Sequence, residues 1–406
     1  MTTAPAIAAP RTHPNGRTDA SRERPIRVVF VNDHLGYGDG VVHGVTRYFL
    51  NVIPRFDPRV VHAQACFVRG PHPAAQQLRD AGIDVSFLAR RKLDPRALGD
   101  LVSLVRRRRI DILHLAGLKS MLLGRVAARC AGCCAVIHVH DTQPLGPALG
   151  FLQRRLARWT DAAVGVSDAV TSLVTGQFGI PPRVALTLHN GVPTDEFASP
   201  PADARQAVRR ELHIASDATV VGMLGRLSAE KQPTLLVSAF PRLLTAHPRA
   251  ILLVVGDGPL RAACQDLATR LGIAPSVRFA GQRRDVSHML AAMDLVAIPS
   301  EREGFGYVAA EACAAGKPVV GFHVGGLKEV VLHGETGLLA DPQDVAGFVA
   351  AIRTLMDDPL LLARLGEGAK RRAPAFGIER HVRSLEALYC RIVGLEEPAV
   401  DVAESG

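Results

Sequence analysis

The pattern that most constrains this chain is an alternation of apolar, β-branched runs with helical segments, carried out twice. "IRVVFVN" (26–32), "VVHAQACFV" (60–68), "IDVSFLA" (83–89), "IDILHLAG" (110–117), "AVIHVHDT" (135–142) and "VALTLHNGV" (184–192) read as strands. Between them lie helical patterns such as "GVTRYFLNVI" and "PRALGDLVSLVRRRR", and "DAAVGVSDAVTSLV" turns from strand into a helix capped at Ser167 or Asp168. The alternation stops at 199–216, which opens with two prolines, and resumes with "TVVGMLGRL" (219–227), "AILLVVGDGPLR", "VRFAG", "MDLVAIPS", "KPVVGFHVGG" and "GLLADP". Nearly continuous apolar strands separated by helices require a parallel sheet covered on both faces. The expected fold is therefore α/β, with two Rossmann-like doubly wound domains facing across a cleft. The predicted division is a disordered tail at 1–24, a first domain at 25–198, a linker at 199–216, a second domain at 217–380, and a C-terminal helix and tail at 381–406.

Length and composition support two cores: the chain has 406 residues, 48% of them hydrophobic. No run of about 18 apolar residues suggests a membrane span, and residues 1–24 lack the apolar stretch of a secretory signal. The seven cysteines are odd in number and irregular in spacing, which fits a reducing cytoplasm. Cys130, Cys133 and Cys134 look like half a zinc ribbon, but no second pair follows, so small buried thiols are expected instead of a metal site. Charge is uneven. Residues 1–200 carry 25 Lys and Arg against 15 Asp and Glu, and residues 201–406 carry 23 against 24. A basic first half is compatible with peripheral contact with an anionic membrane or with phosphorylated substrates. Its densest run, "VRRRRID" (105–111), reads first as the solvated end of a helix.

Ligands of open parallel sheets bind beyond the carboxyl ends of strands, so the loops after the strands carry the chemistry. "GRLSAEK" (225–231) sets Arg226 and Lys231 at such an end, two cations suited to a diphosphate, with surface ion pairing as the plainer alternative. "SEREGFGYVAAEACAAGKP" (300–318) puts Glu303 before Gly304-Phe305-Gly306 and Glu311 inside a helix that starts near Tyr307. The helix start is an anion site, while acceptor-only carboxylates on either side of it suit hydroxyl donors such as a sugar or a ribose diol. The alternative is a capped surface helix with two solvated acids. His140 follows an apolar strand and could donate a hydrogen bond into a cleft, or be a satisfied structural histidine. No Asp-x-Asp pair occurs, so a leaving diphosphate would be neutralised by cations and helix dipoles, with no metal and no cofactor expected.

Taken in order, "HNGVPTDEF", "GRLSAEK", "GDGPLR", "VRFAG", "MDLVAIPSEREGFG", "GGLKEVV" and "HGETGLL" resemble the retaining GT-B glycosyltransferases of the large group 1, family 4 type. The resemblance runs from about residue 26 to 395 and is strongest over 185–340. It implies a nucleotide-diphosphate sugar as co-substrate. It also implies catalytic roles for His140, Arg226, Lys231 and Glu303, and donor contacts from Gly44, Arg283, Gly304, Phe305, Gly306, Tyr307 and Glu311. The implied acceptor is a carbohydrate, a lipid-linked molecule or a small molecule, and no nucleic acid is expected. Two departures stand out: His43-Gly44 replaces a Gly-Gly pair, and Lys328 replaces a proline in "GGLKE", which puts that turn in doubt. A nicotinamide oxidoreductase or epimerase is disfavoured, since the sequence has neither the G-x-G-x-x-G turn nor a Tyr-x-x-x-Lys pair. A non-enzymatic protein binding membrane or nucleic acid through the basic half is the remaining alternative.

Overall fold

The computed structural model describes residues 24–36, 44–88, 94 and 96–396. Strands fall where the apolar runs predict them. In the first half these are β1 (Ile26–Asn32), β2 (Val61–Phe67), β3 (Val85–Phe87), β4 (Ile112–Leu115), β5 (Cys134–Val139), β6 (Ala162–Gly165) and β7 (Ala185–Thr187). They form one sheet in the order β3-β2-β1-β4-β5-β6-β7, with every pair parallel. In the second half, β8 (Val220–Leu224), β9 (Ile251–Val255), β10 (Val277–Gly281), β11 (Leu295–Ile298), β12 (Val319–Phe322) and β13 (Gly337–Ala340) form a second parallel sheet. Its order is β10-β9-β8-β11-β12-β13.

Each sheet has its own core. Phe30, Phe49, Phe67 and Tyr389 anchor one, and Phe240, Leu252, Phe322 and Phe348 the other. The cap of the helix Asp168–Gln177 is Ser167, whose hydroxyl accepts from the Val170 N–H. The arginine run ends the helix Arg96–Arg108, where Arg106 donates to the Cys130 carbonyl, Arg107 to Ser103 Oγ, and Arg108 pairs with Asp84. That is the solvated helix end, with its charges set against the negative end of the dipole.

The chain divides into two units, residues 1–191 with 378–406, and residues 192–377. The crossings lie earlier than the predicted boundaries at 198 and 380. The C-terminal helix begins at Ile378 and packs Val382, Leu385, Leu388 and Tyr389 into the first core. Gly191 makes the return crossing feasible, because a Cβ there would stand 2.7 Å from the Ile378 Cα.

The predicted linker at 199–216 is corrected by the structure. It contains the helix Ala204–Glu211 and belongs to the second unit. The prolines break the strand-helix rhythm, but Ala204 and Val208, four residues apart, give the helix a buried face. Arg209 locks it in place: its guanidinium donates to the carbonyls of Ala292, Ser216 and Ala218 and to Asp294 Oδ2 at 3.0 Å. Asp294 also accepts from Arg205 and from the Val220 N–H at the start of β8. Removing this carboxylate leaves Arg209 buried without a counter-charge. Asp294→Ala is expected to destabilise the second unit by about 3–5 kcal/mol. Denaturant titration checks this, and a loss under about 1 kcal/mol would show that the carbonyl bonds alone hold Arg209.

Candidate active site

In the second sheet the chain leaves β8 outward through β9 and β10, then returns to β11 on the other side of β8. Such a reversal leaves a crevice at the carboxyl ends of the two strands. The loops that follow them are "GRLSAEK" and "SEREGFG".

Close backbone contact shapes the first loop. Gly256, after β9, has φ +130°, and a Cβ on it would stand 2.0 Å from the Gly225 carbonyl oxygen. Only glycine lets the two loops approach this closely. The Leu227 N–H then donates to the Asp257 carbonyl at 2.9 Å, and the Leu260 N–H donates to the Leu227 carbonyl at 2.9 Å. A single 3-10 turn, Ala229–Lys231, followed by left-handed Gln232, turns the chain into the helix Pro233–Leu244.

The second loop is held from the other side. Gly326 N–H donates to the Glu303 carbonyl at 2.9 Å, and a Cβ on Gly325 would stand 2.0 Å from that same oxygen. The turn that Lys328 put in doubt therefore forms. The glycine pair makes it, and Lys328 itself is exposed.

Between the loops, Lys231 Nζ donates to Glu303 Oε1 at 2.6 Å, and Ser300 Oγ donates to the same oxygen at 2.8 Å. The Glu303 side chain is 11% exposed and that of Lys231 30%. The backbones join as well, with the Glu301 N–H donating to the Glu230 carbonyl at 3.0 Å. Glu230 and Ser300 are site residues that the sequence reading passed over, although both lie inside the quoted motifs. Burial works against ionisation of Glu230. The Ser228 hydroxyl at 2.6 Å, its own backbone and the charges of Lys231 and Arg226 outweigh this and hold the carboxyl below its ordinary value. Arg226 is exposed.

The helix Tyr307–Ala314 starts at Gly306, whose φ of +98° makes the left-handed turn. Phe305 is buried, edge-on to Tyr307 and Phe376. Glu311 is 2% exposed. Burying a carboxylate is costly unless it is paired, so the alternative of two solvated surface acids does not describe this helix.

Arg283, implied as a donor contact, lies in the loop after β10. Its guanidinium is taken up by Glu211 at 2.5 Å and Asp285 at 2.7 Å, which hold its pKa above the ordinary value. Hydrogen bonds to these two acids commit the side chain to tying the helix Ala204–Glu211 to the loop after β10. His140 and Gly44 belong to the first unit. His140 lies one residue past β5, its ring stacked on His138 at 4.2 Å and edge-on to Tyr48 at 5.0 Å. Gly44 opens the helix Gly44–Val52 and is exposed; the loop before it, 37–43, is outside the described residues. Among the described residues no group of three or more His, Cys, Asp or Glu could hold a metal, and no helix is long and apolar enough to cross a membrane. Cys133 and Cys134 are buried, but Cys130, near the end of its helix, is exposed, contrary to expectation; burial raises the Cys133 thiol to about 12.

Comparison with known proteins identifies the architecture. The fold is similar to that of Anabaena HepE, solved in complex with UDP, at a TM-score of 0.78 and 24% identity, covering 89% of this chain and 98% of that one. A HepE structure with UDP-glucose gives a TM-score of 0.75. The two parallel-sheet units thus define a GT-B glycosyltransferase fold. The Glycosyltransferase Family 4 model matches residues 42–196, and the Glycosyl transferases group 1 model matches residues 204–372. The chain is 30% identical over 318 residues to the 2-deoxystreptamine glucosyltransferase of Streptomyces kanamyceticus, covering 74% of this chain and 82% of that protein. It is 42% identical over 202 residues to the D-inositol 3-phosphate glycosyltransferase of Streptomyces avermitilis. That match covers 47% of this chain and 43% of that protein, and the chain spans about half the length or less of the inositol phosphate enzymes it first matches. The chain belongs to the glycosyl transferases of group 1, family 4 type.

Proposed function

We propose that this glycosyltransferase moves a sugar from a UDP- or GDP-sugar to an acceptor hydroxyl with retention of configuration and without a metal ion. The observation that carries the reading is the Lys231–Glu303 pair at 2.6 Å, set where the strand order reverses. A diphosphate competes with Glu303 for the Lys231 ammonium group, and the freed carboxylate accepts from sugar hydroxyls. Arg226 and the N-terminus of the helix Tyr307–Ala314 add positive charge at the leaving group. Glu311 accepts from the ribose, and the family resemblance assigns His140 to the sugar and phosphate. In a front-face substitution the bond from the anomeric carbon to the diphosphate oxygen breaks. The acceptor oxygen bonds on the same side, and its proton passes to the departing phosphate.

The named relatives support a cyclitol acceptor as the first to try, since inositol 3-phosphate and 2-deoxystreptamine are both six-membered carbocyclic polyols. A lipid-linked acceptor is the second reading. Phe151 and Leu152 are 66% and 43% exposed on the helix Pro147–Leu156, next to exposed Arg154 and Arg155. The test is a panel of UDP- and GDP-sugars, first by thermal shift, then by transfer to cyclitols and to lipid-linked acceptors in anionic vesicles. One donor is expected to stabilise the protein by mass action, to give an α-product from an α-donor, and to turn over unchanged in EDTA. Absence of binding and turnover across the panel overturns the reading. An inverted product overturns retention, and loss of activity in EDTA overturns metal independence.

A further inference from the structure

Behind His140 the first unit buries a line of hydrogen-bonded rings drawn from three elements. Tyr389, on the C-terminal helix, lies with its Oη 2.7 Å from His114 Nδ1 on β4. His114 Nε2 lies 3.0 Å from His138 Nδ1 on β5. All three side chains are fully buried. The His138 ring stacks on His140 with 30° between the planes. On the other flank Tyr48 touches both rings, at 5.0 and 5.1 Å. Its hydroxyl lies 3.0 Å from His381 Nε2, and His381 Nδ1 donates to the His189 carbonyl at 2.8 Å.

Proton counting gives this line a direction. A tyrosine hydroxyl carries one proton, and so does a neutral imidazole. If Tyr389 donates to His114, His114 carries its proton on Nε2 and donates to His138 Nδ1. The His138 proton then sits on Nε2. If the direction is reversed, the Tyr389 hydroxyl proton has no acceptor among the described residues and His138 Nε2 is a bare lone pair. His138 Nε2 has no hydrogen-bond partner among the described residues in either case. The first direction thus leaves one buried group unmatched and the second leaves two, and unmatched buried groups are costly. Burial keeps the line neutral, lowering His114 and His138 well below the ordinary imidazole value and raising Tyr389.

We propose that Tyr389 is a positioning residue for sugar transfer: by donating to His114 it fixes the tautomer of His138, the ring on which His140 rests. An imidazole's dipole turns when its proton changes nitrogen, so the tautomer of His138 sets the local field at the His140 ring 4.2 Å away. The field selects which His140 nitrogen donates. The C-terminal helix, through Tyr389 and through the His381 bond to Tyr48, thereby reaches a group at the end of β5. The proposal rests on the reading of His140 as a contact to the transferred sugar and phosphate.

The test is Tyr389→Phe in the full chain, which keeps the ring and removes the proton. Turnover is expected to fall about tenfold, the low end of what losing the partner behind a metal-bound histidine costs. In a His140→Ala background the same substitution is expected to add nothing. Nitrogen-15 spectra of the free wild type are expected to show His138 protonated on Nε2, and a mixture of tautomers in Tyr389→Phe. A loss that multiplies with that of His140→Ala overturns the proposal, as does a His138 protonated on Nδ1 in the wild type. Full activity in His140→Ala overturns the reading of His140 and the catalytic half of the proposal with it. The spectra need no substrate and decide separately whether Tyr389 sets the tautomer.

Discussion

Lys231→Ala is expected to lower the rate of sugar transfer by about 100- to 1,000-fold, the range seen when one preorganised donor to a developing charge is removed. The fold survives. Ser300 still donates to Glu303 Oε1 at 2.8 Å, and the loops stay joined through the Glu301 N–H and the Glu230 carbonyl at 3.0 Å. The loss therefore falls on turnover. On the proposed mechanism, adding Arg226→Ala removes the second cation and is expected to abolish transfer. Lys231→Arg keeps the charge but replaces a compact ammonium with a planar fork, and is expected to recover only part of the rate. Rates with the identified donor, set beside circular dichroism and melting curves, check the series. A loss of less than threefold in a folded Lys231→Ala protein would remove Lys231 from the mechanism.

Acidification from pH 6.5 to 4 destabilises the first unit steeply. His114, His138 and His381 are buried there, and burial lowers all three, His381 to about 4. Below the ordinary imidazole value the unfolded chain binds protons that the folded unit does not. Stability is thus fully present above about pH 6.5 and is lost as the pH falls. The slope is about 1.4 kcal/mol per pH unit for each histidine held neutral, so about 4 for the three together. The protein's single tryptophan, Trp159, lies in the first unit, so its fluorescence during urea unfolding reports on that unit. Equal midpoints at pH 7 and pH 5 would contradict the prediction.

Much of the fold is legible in the sequence because parallel strands buried on both faces leave unbroken apolar runs, and the strands among the described residues fall on such runs to within a residue. Less legible is whatever depends on partners distant in sequence. The pattern break at 199–216 reads as a linker because prolines interrupt it. What fixes that segment is Asp294, about 85 residues away from Arg209. Lys231 and Glu303 could each be singled out by their motifs, but their contact depends on β11 returning beside β8, which no local pattern records. The Arg283 pairing with Glu211 is a further case, since it depends on a helix that the prolines hid. The histidines of the first unit are similar: His138 and His140 are two residues apart, while His114, His381 and Tyr389 join them only through the sheet and the returning helix.

The split of the first unit around the second also fixes an order of events during synthesis. Residues 192–377 are contiguous and can complete their core as soon as they leave the ribosome. Residues 1–191 cannot, because Tyr389, Leu385 and Leu388 fill part of their core. At about 5–20 residues per second, the roughly 200 residues between the crossing and the last helix take about 10–40 s to translate. For that interval Phe56 and Tyr48 lack the cover that Tyr389 and His381 of the C-terminal helix give them in the folded unit.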